Sequence, residues 1–198
     1  MELKNKIILL TGASTGIGKS IAKSMLEKGA KVIVFGLHKP EFASEFYKVD
    51  ISNEKEIISA LTKIKKVDIL INNAGIAKIA TINETSNEIF DEIFNINFKG
   101  LFWMCKHSIK LINEKGCIIN ISSLAGLKSF KGYGIYCATK SAVISLTKTL
   151  ALELTNKKIR VNCIAPGIID TEIWNKMYGK NGKKVLKENE NYTLLKRS

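Results

Sequence analysis

Tyr136 and Lys140 stand four residues apart. On a helix they share one face, one turn apart. An ammonium beside a phenol favours the phenolate and lowers a tyrosine pKa from its ordinary value of about 10. A phenol tuned in this way can give or take a proton near neutral pH. The spacing alone is weak in a chain so rich in lysine, and Tyr192 and Lys196 repeat it. The surroundings of each pair have to choose between them.

The elements that position such a pair can be read from apolar runs. Ile7–Leu10 is continuously apolar, as in a parallel strand covered on both faces. After the turn Thr11-Gly12-Ala13-Ser14-Thr15-Gly16-Ile17-Gly18, residues Ile17, Ile21, Ala22, Met25 and Leu26 fall on one helical face, and Gly29 ends that helix. Val32–Phe35, Val67–Asn72, Cys117–Ile121 and Val161–Ile164 read as further strands, with a short one over Tyr47–Asp50. Helices are predicted over about 54–65, as one long element over 86–113, and over 136–154. This alternation predicts an α/β fold, a doubly wound parallel sheet of about six strands with right-handed crossovers. There are no internal repeats and no low-complexity linker, so residues 1–198 read as one domain. Residues 168–198 show no clear strand and turn Lys- and Asn-rich from Lys176, which reads as a mobile flap over a cleft.

Gly12, Gly16 and Gly18 fill the first strand-to-helix turn in the spacing G-x-x-x-G-x-G. Glycine there permits positive φ and a close backbone approach to a pyrophosphate. The helix start behind it offers free N–H groups and the positive end of a dipole. Directly after the first apolar strand and before an amphipathic helix, the turn predicts dinucleotide binding.

Five motifs in order now resemble the short-chain dehydrogenase/reductase family. They are Thr11-Gly12-x-x-x-Gly16-x-Gly18, Asn72-Asn73-Ala74-Gly75, Ser123, Tyr136-x-x-x-Lys140 and Pro166-Gly167, and the resemblance runs from about Lys6 to Ser198. It implies a Rossmann-type, three-layer α/β/α domain that uses NAD or NADP to oxidise alcohols or reduce carbonyls. It implies that Ser123, 13 residues before Tyr136, holds the substrate oxygen. Tyr136 would donate the proton, and Lys140 would lower the Tyr136 pKa and bond the nicotinamide ribose. Asn97 would bend the long helix and hold a water that links Lys140 to solvent. The sequence agrees that this turn is weak, because an interior Asn competes for the backbone and Gly100 follows. The implied cofactor-binding set is Gly12, Ser14, Thr15, Gly16, Ile17, Gly18, Asn73, Ala74, Gly75, Tyr136, Lys140, Pro166, Gly167, Ile169 and Thr171. Asn72 would stabilise the central sheet. Asp50 has two readings, an acceptor for the adenine amino group or an acid of the helix N-cap region ahead of Ser52. The context also favours Tyr136 over Tyr192, which sits in a polar tail.

Rossmann sites that prefer NAD usually carry Asp or Glu at the end of the second strand. Here the segment reads Phe35-Gly36-Leu37-His38-Lys39, without a carboxylate. His38 and Lys39 suit a 2′-phosphate, which favours NADP over NAD. The stretch from Gly36 to Asp50 is short for a parallel crossover.

Composition narrows the partners. The chain of 198 residues has a net charge of +13, nearly all of it from Lys; Arg160 and Arg197 are the arginines. A solvated lysine-rich surface and steering of an anionic partner both fit. Scarce arginine and the lack of a nucleic-acid motif argue against nucleic acid. No run of 18 apolar residues suggests a membrane span, and Ile7–Leu10 is too short for a signal-peptide core, so a cytoplasmic location is expected. The four cysteines are scattered and neither His38 nor His107 has a ligand partner nearby, so no metal site is expected. The favoured substrate is a 3-oxoacyl thioester on an acidic acyl carrier protein, with Lys115, Lys157 and Lys158 near its docking surface. Dihydrodiol, sugar and steroid alcohols fit the motifs equally well. The resemblance implies a homodimer or homotetramer packed through the helices over 86–113 and 136–154. Family members continue beyond this length with a helix and a seventh strand. The alternative reading is therefore a member that binds nucleotide or a partner without turnover.

Overall fold

The structure, a computed structural model, describes residues 3–190. Its frame is one six-stranded sheet. The strands are β1 (Ile7–Thr11), β2 (Lys31–Gly36), β3 (Glu45–Lys48), β4 (Val67–Asn72), β5 (Ile112–Ile121) and β6 (Arg160–Ile164). Their spatial order is β3-β2-β1-β4-β5-β6, and every pair is parallel. The order reverses between β1 and β4, which opens a crevice at the carboxyl ends of those strands.

Strand periodicity builds the two sides of the core. Leu9, Ile33, Phe35, Leu70 and Ile118 face one way and pack with Ile57, Met104, Val143 and Leu150. Those partners come from α2 (Glu54–Leu61), α4 (Leu101–Ser108) and α5 (Gly134–Glu153). Ile8, Leu10, Val32, Val34 and Ile71 face the other way, against Ala22, Ile21 and Met25 of α1 (Gly16–Glu27). Three layers result, as the alternation of apolar runs and amphipathic stretches predicts. Among the described residues, no helix is long and apolar enough to cross a membrane.

Three boundaries differ from the sequence reading. β3 runs over Glu45–Lys48, not Tyr47–Asp50, because it registers on Ile33–Gly36 of β2. Asp50 then lies in the turn before α2. The long helix over 86–113 is three elements. α3 (Asn87–Phe94) gives way to a π-helical stretch over Asn95–Gly100 and then to α4, and Ile112 already belongs to β5. The π-helical stretch sits where Asn97 and Gly100 weaken the sequence. Asn97 turns its amide away from its own helix, and a side chain at Gly100 would strike the Ile51 carbonyl oxygen at 2.6 Å. Gly29 ends α1 as expected, with φ +80. The 36–45 crossover holds no helix; Phe42 lies beneath the Lys19 and Lys23 ammonium groups instead.

Past β6 the described chain holds no strand. It forms α6 (Ile173–Tyr178), a single 3₁₀ turn and α7 (Gly182–Glu190).

Candidate active site

β1 ends in the glycine turn. Gly12 and Gly16 take positive φ, +69 and +55. The sequence reading gives these glycines to a pyrophosphate, yet at two of them the close neighbour is the chain itself. A Cβ at Gly12 would lie 2.8 Å from the Ala74 Cα, and one at Gly18 would lie 2.1 Å from the Gly12 carbonyl oxygen and 2.4 Å from Asn73 Nδ2. The turn is pressed onto the end of β4. Asn73 Nδ2 donates to the Thr11 and Gly12 carbonyls at 3.1 and 2.6 Å, while Thr11 Oγ1 accepts from the Asn73 and Ala74 N–H groups, both at 3.0 Å. Thr11 is thus the hinge between the two strand ends, a part that its place in the motif did not reveal.

Ser14 and Thr15 cross the turn, and Ile17 lies in the first turn of α1. Thr15 is the N-cap residue, but its side chain makes no capping hydrogen bond, and no acidic residue occupies that first turn. No side chain of the turn itself caps the helix, so its N–H groups face the crevice as a pyrophosphate needs, with Glu172 Oε2 3.7 Å from where a Gly16 side chain would start. Thr171 closes over the same turn, its Cβ 3.2 Å from where a Gly16 side chain would start. Pro166 accepts from the Leu124 N–H at 2.8 Å, Gly167 faces open space, and the half-exposed Ile169 accepts from Trp174 Nε1 at 2.9 Å. Asp50 Oδ1 accepts from the Ser52 N–H and hydroxyl at 2.9 and 2.7 Å, and the cap of α2 is Asn53 rather than Ser52.

At the carboxyl end of β5 the polar side chains converge. Ser123 lies beside Tyr136, near enough to act on its phenol, and Ser123 Oγ accepts from the Ala125 N–H at 3.1 Å. Tyr136 lies in the first turn of α5, so Lys140 falls on the same face, its Nζ 5.8 Å from the centre of the phenol ring. Lys140 is buried, and its Nζ donates to the Ile121 carbonyl at 3.1 Å. Ser122, the neighbour of Ser123, points the other way and donates to the Lys140 carbonyl at 2.8 Å, bracing α5 on β5. Asn97 is buried too. Its amide pairs with both the N–H and the carbonyl of Ile76 at 2.8 Å and reaches Thr139 Oγ1 at 3.4 Å. A side chain at Gly75 would meet Asn97 Oδ1 at 3.1 Å and Lys140 Nζ at 3.3 Å, so the three line one small space.

Beneath them runs a polar ladder that begins at Asn72, the residue expected to stabilise the central sheet, and whose other members gave no sequence signal. Asn72 donates to Asn120 at 2.9 Å, and Asn120 to Thr147 at 3.0 Å, which ties β4, β5 and α5 together.

Burial dominates the electrostatics of the pair. Burial pushes the Tyr136 phenol above its ordinary value of 10.0, partly offset by Ser123 beside it. Burial likewise makes the Lys140 ammonium costly and pulls Lys140 down to about 8. Its Nζ is bonded to the Ile121 carbonyl and sits near the ring rather than at the hydroxyl. Tyr192 and Lys196 lie outside the described residues.

Comparison with known proteins then places the chain. The family model for short chain dehydrogenase matches residues 6–182, and the chain belongs to that oxidoreductase family, whose members bind NAD or NADP. Its relatives include the 3-oxoacyl-[acyl-carrier-protein] reductase FabG of Rickettsia prowazekii, 33% identical over 199 residues, covering 95% of this chain and 83% of that protein. Galactitol 2-dehydrogenase of Agrobacterium fabrum is 35% identical over 190 residues, covering 88% of this chain and 74% of that one. Among solved structures, ligand-free aldohexose dehydrogenase of Thermoplasma acidophilum superposes with a TM-score of 0.90 at 28% identity, over 98% of this chain and 82% of the other. A short chain dehydrogenase of Leptospira borgpetersenii with bound NAD+ gives 0.79 at 33% identity, over 85% and 73%.

Gly18→Ala should cost about 1–3 kcal/mol of stability, because the new methyl meets backbone rather than a yielding side chain. Thermal unfolding with and without NADPH will also show a smaller cofactor-induced rise in Tm for the variant, since the turn and the first helical N–H groups must shift.

Proposed function

We propose that this chain reduces a ketone to a secondary alcohol with NADPH, through Asn97, Ser123, Tyr136 and Lys140. The observation that carries the reading is the placement of Ser123 beside Tyr136, whose ring lies 5.8 Å from the buried Lys140 Nζ, at the carboxyl ends of parallel strands. When bound, the nicotinamide supplies the hydride. Negative charge then builds on the substrate oxygen, where the Ser123 hydroxyl donates a hydrogen bond and the Tyr136 hydroxyl a proton. Lys140 supports the phenolate left behind and bonds the nicotinamide ribose. Asn97, held on both Ile76 backbone groups, positions the water that returns a proton.

The dinucleotide rests on Gly12, Ser14, Thr15, Gly16, Ile17 and Gly18, with Asn73, Ala74 and Gly75 along the adenosine ribose. Asp50 is assigned to the adenine amino group, and Pro166, Gly167, Ile169 and Thr171 to the nicotinamide side. NADP is favoured because His38 and Lys39 are exposed just after β2 and no carboxylate competes there. Residues 168–190 serve as a flap over the crevice.

A 3-oxoacyl thioester is the favoured substrate, supported by the FabG relatives and the net charge of +13. The expected docking surface needs correction. Lys115, Lys157 and Lys158 flank the amino-terminal ends of β5 and β6, opposite Ser123. An acidic carrier reaching the site would meet the exposed Lys128, Lys131, Lys176 and Lys180 instead. Self-association is supported by exposed Phe90, Phe102 and Leu152 on α3, α4 and α5.

The test is reduction of a small β-ketoester followed by cofactor absorbance, with NADPH and NADH side by side. The expected result is turnover with a higher kcat/KM for NADPH. A folded protein that binds NADPH and turns over no ketone supports the nucleotide-binding alternative.

A further inference from the structure

The wall beside Tyr136 carries a second phenol that the proton-transfer residues do not need. Tyr133 is the N-cap residue of α5, and its ring stands edge-on to that of Tyr136, with centroids 6.1 Å apart. Its hydroxyl meets the Tyr178 hydroxyl at 2.8 Å and Met177 Sδ at 3.8 Å. Tyr178 closes α6 and stacks on Trp174, with centroids 6.1 Å apart. The two phenols thus join the segment after β6 to the helix that carries Tyr136. Burial, reinforced by the Tyr178 bond, raises the Tyr133 pKa well above the ordinary tyrosine value. The group stays a neutral hydroxyl, able to donate or accept.

The surroundings give that hydroxyl few other partners. Phe130 packs edge-on against Tyr133, centroids 6.5 Å apart. Ile79 and Ile82 lie against the backbone of Gly132 and Gly134. On the other side, α6 ends at Gly179, which takes φ +57 with nothing within 4 Å of its Cβ position. The backbone just past Tyr178 is thus unobstructed at Gly179. When Tyr178 moves off, the half-buried Tyr133 hydroxyl is left to take a new partner beside Tyr136.

We propose that Tyr133 is a specificity-determining residue whose hydroxyl leaves Tyr178 to bond a second oxygen of the substrate, one or two carbons from the carbonyl being reduced. This rests on the reading of the site as a ketone reductase centred on Tyr136. A β-ketoester or β-ketothioester supplies that oxygen as a carbonyl, and an α-hydroxyketone supplies it as a hydroxyl. A plain ketone supplies none and leaves the phenol pair closed.

The experiment compares ethyl acetoacetate, 1-hydroxy-2-butanone and 2-pentanone with NADPH and the full chain, as wild type, Tyr133→Phe and Tyr178→Phe. In Tyr133→Phe, kcat/KM for at least one oxygen-bearing ketone falls about tenfold more than for 2-pentanone, and the more affected one identifies the oxygen as carbonyl or hydroxyl. Tyr178→Phe lowers KM for that same substrate, because Tyr133 is then unengaged. An equal loss on all three substrates, or no loss, in Tyr133→Phe overturns the proposal. So does a Tyr178→Phe variant that merely raises every KM, which marks the pair as a structural brace. Dissociation constants for the same ketones, read from tryptophan fluorescence with Trp174 as the nearby reporter, repeat the comparison without turnover. Tyr133-dependent binding with no reduction would defeat the reductase reading and keep this one. Binding indifferent to Tyr133 would defeat this one alone.

Discussion

Tyr136→Phe is expected to lower ketone-dependent NADPH oxidation by about 10²–10⁴-fold, the usual worth of a positioned general acid. The substitution removes one oxygen and keeps the ring. That ring packs edge-on with Tyr133, with centroids 6.1 Å apart, and both of its contacts, with Tyr133 and with the Lys140 ammonium, survive. The fold should therefore hold, and NADPH affinity measured by fluorescence should match the wild type. What is lost is the hydroxyl and its proton beside Ser123. Ser123 keeps its contact with the Ala125 N–H at 3.1 Å, so it does not collapse into the gap. Near-normal turnover in this variant would remove Tyr136 from the mechanism. Tyr192→Phe is the matched control, because it has the same four-residue spacing to a lysine, and it should leave turnover unchanged.

That contrast between two Tyr-x-x-x-Lys pairs shows where the sequence is informative. Continuous apolar runs located five strands, because a parallel strand buried on both faces can hardly be written otherwise. β3 was misplaced by two residues because its Phe46 and Tyr47 are only half-buried at a sheet edge, so periodicity gives little register there. The weak turn at Asn97 and Gly100 was visible as poor helix. Its π-helical form was not, since that depends on an approach to Ile51 and on pairing with Ile76. Residue types also marked Ser123, Tyr136 and Lys140, yet they did not show what holds them. The bracing of Lys140 by Ser122, the Asn72–Asn120–Thr147 ladder and the Thr11 hinge all join residues far apart in sequence. Tyr133 escaped for the same reason, because its partner Tyr178 arrives 45 residues later. Docking lysines were misjudged because a parallel sheet has two distinct ends, and charge counting does not say which end a lysine occupies.

Burial also sets the charge cost of Lys140, and Lys140→Met measures it. The ordinary lysine value of 10.5 falls to about 8 in the folded chain because burial penalises the ammonium. The folded state therefore holds this proton less tightly than the unfolded chain does. Below about pH 8 the lysine is charged in both states, and its burial lowers stability by its full amount, roughly 3 kcal/mol at most. As pH rises from about 8 to 10.5, the folded state loses the charge first, unfolding takes up a proton, and the penalty fades. Methionine fills a similar volume without a charge. Lys140→Met should accordingly unfold at higher denaturant than the wild type at neutral pH, with the difference shrinking towards zero as pH approaches 10.5. The same variant should lose turnover by roughly 10²–10³-fold, since it removes the cation beside the developing phenolate. Urea titrations across that pH range together with the reductase assay separate the two effects. A variant that is less stable at neutral pH would mean the ammonium's hydrogen bond to the Ile121 carbonyl outweighs its burial. A variant both more stable and inactive is the expected outcome, with the buried lysine retained at a cost to stability because the proton transfer at Tyr136 depends on it.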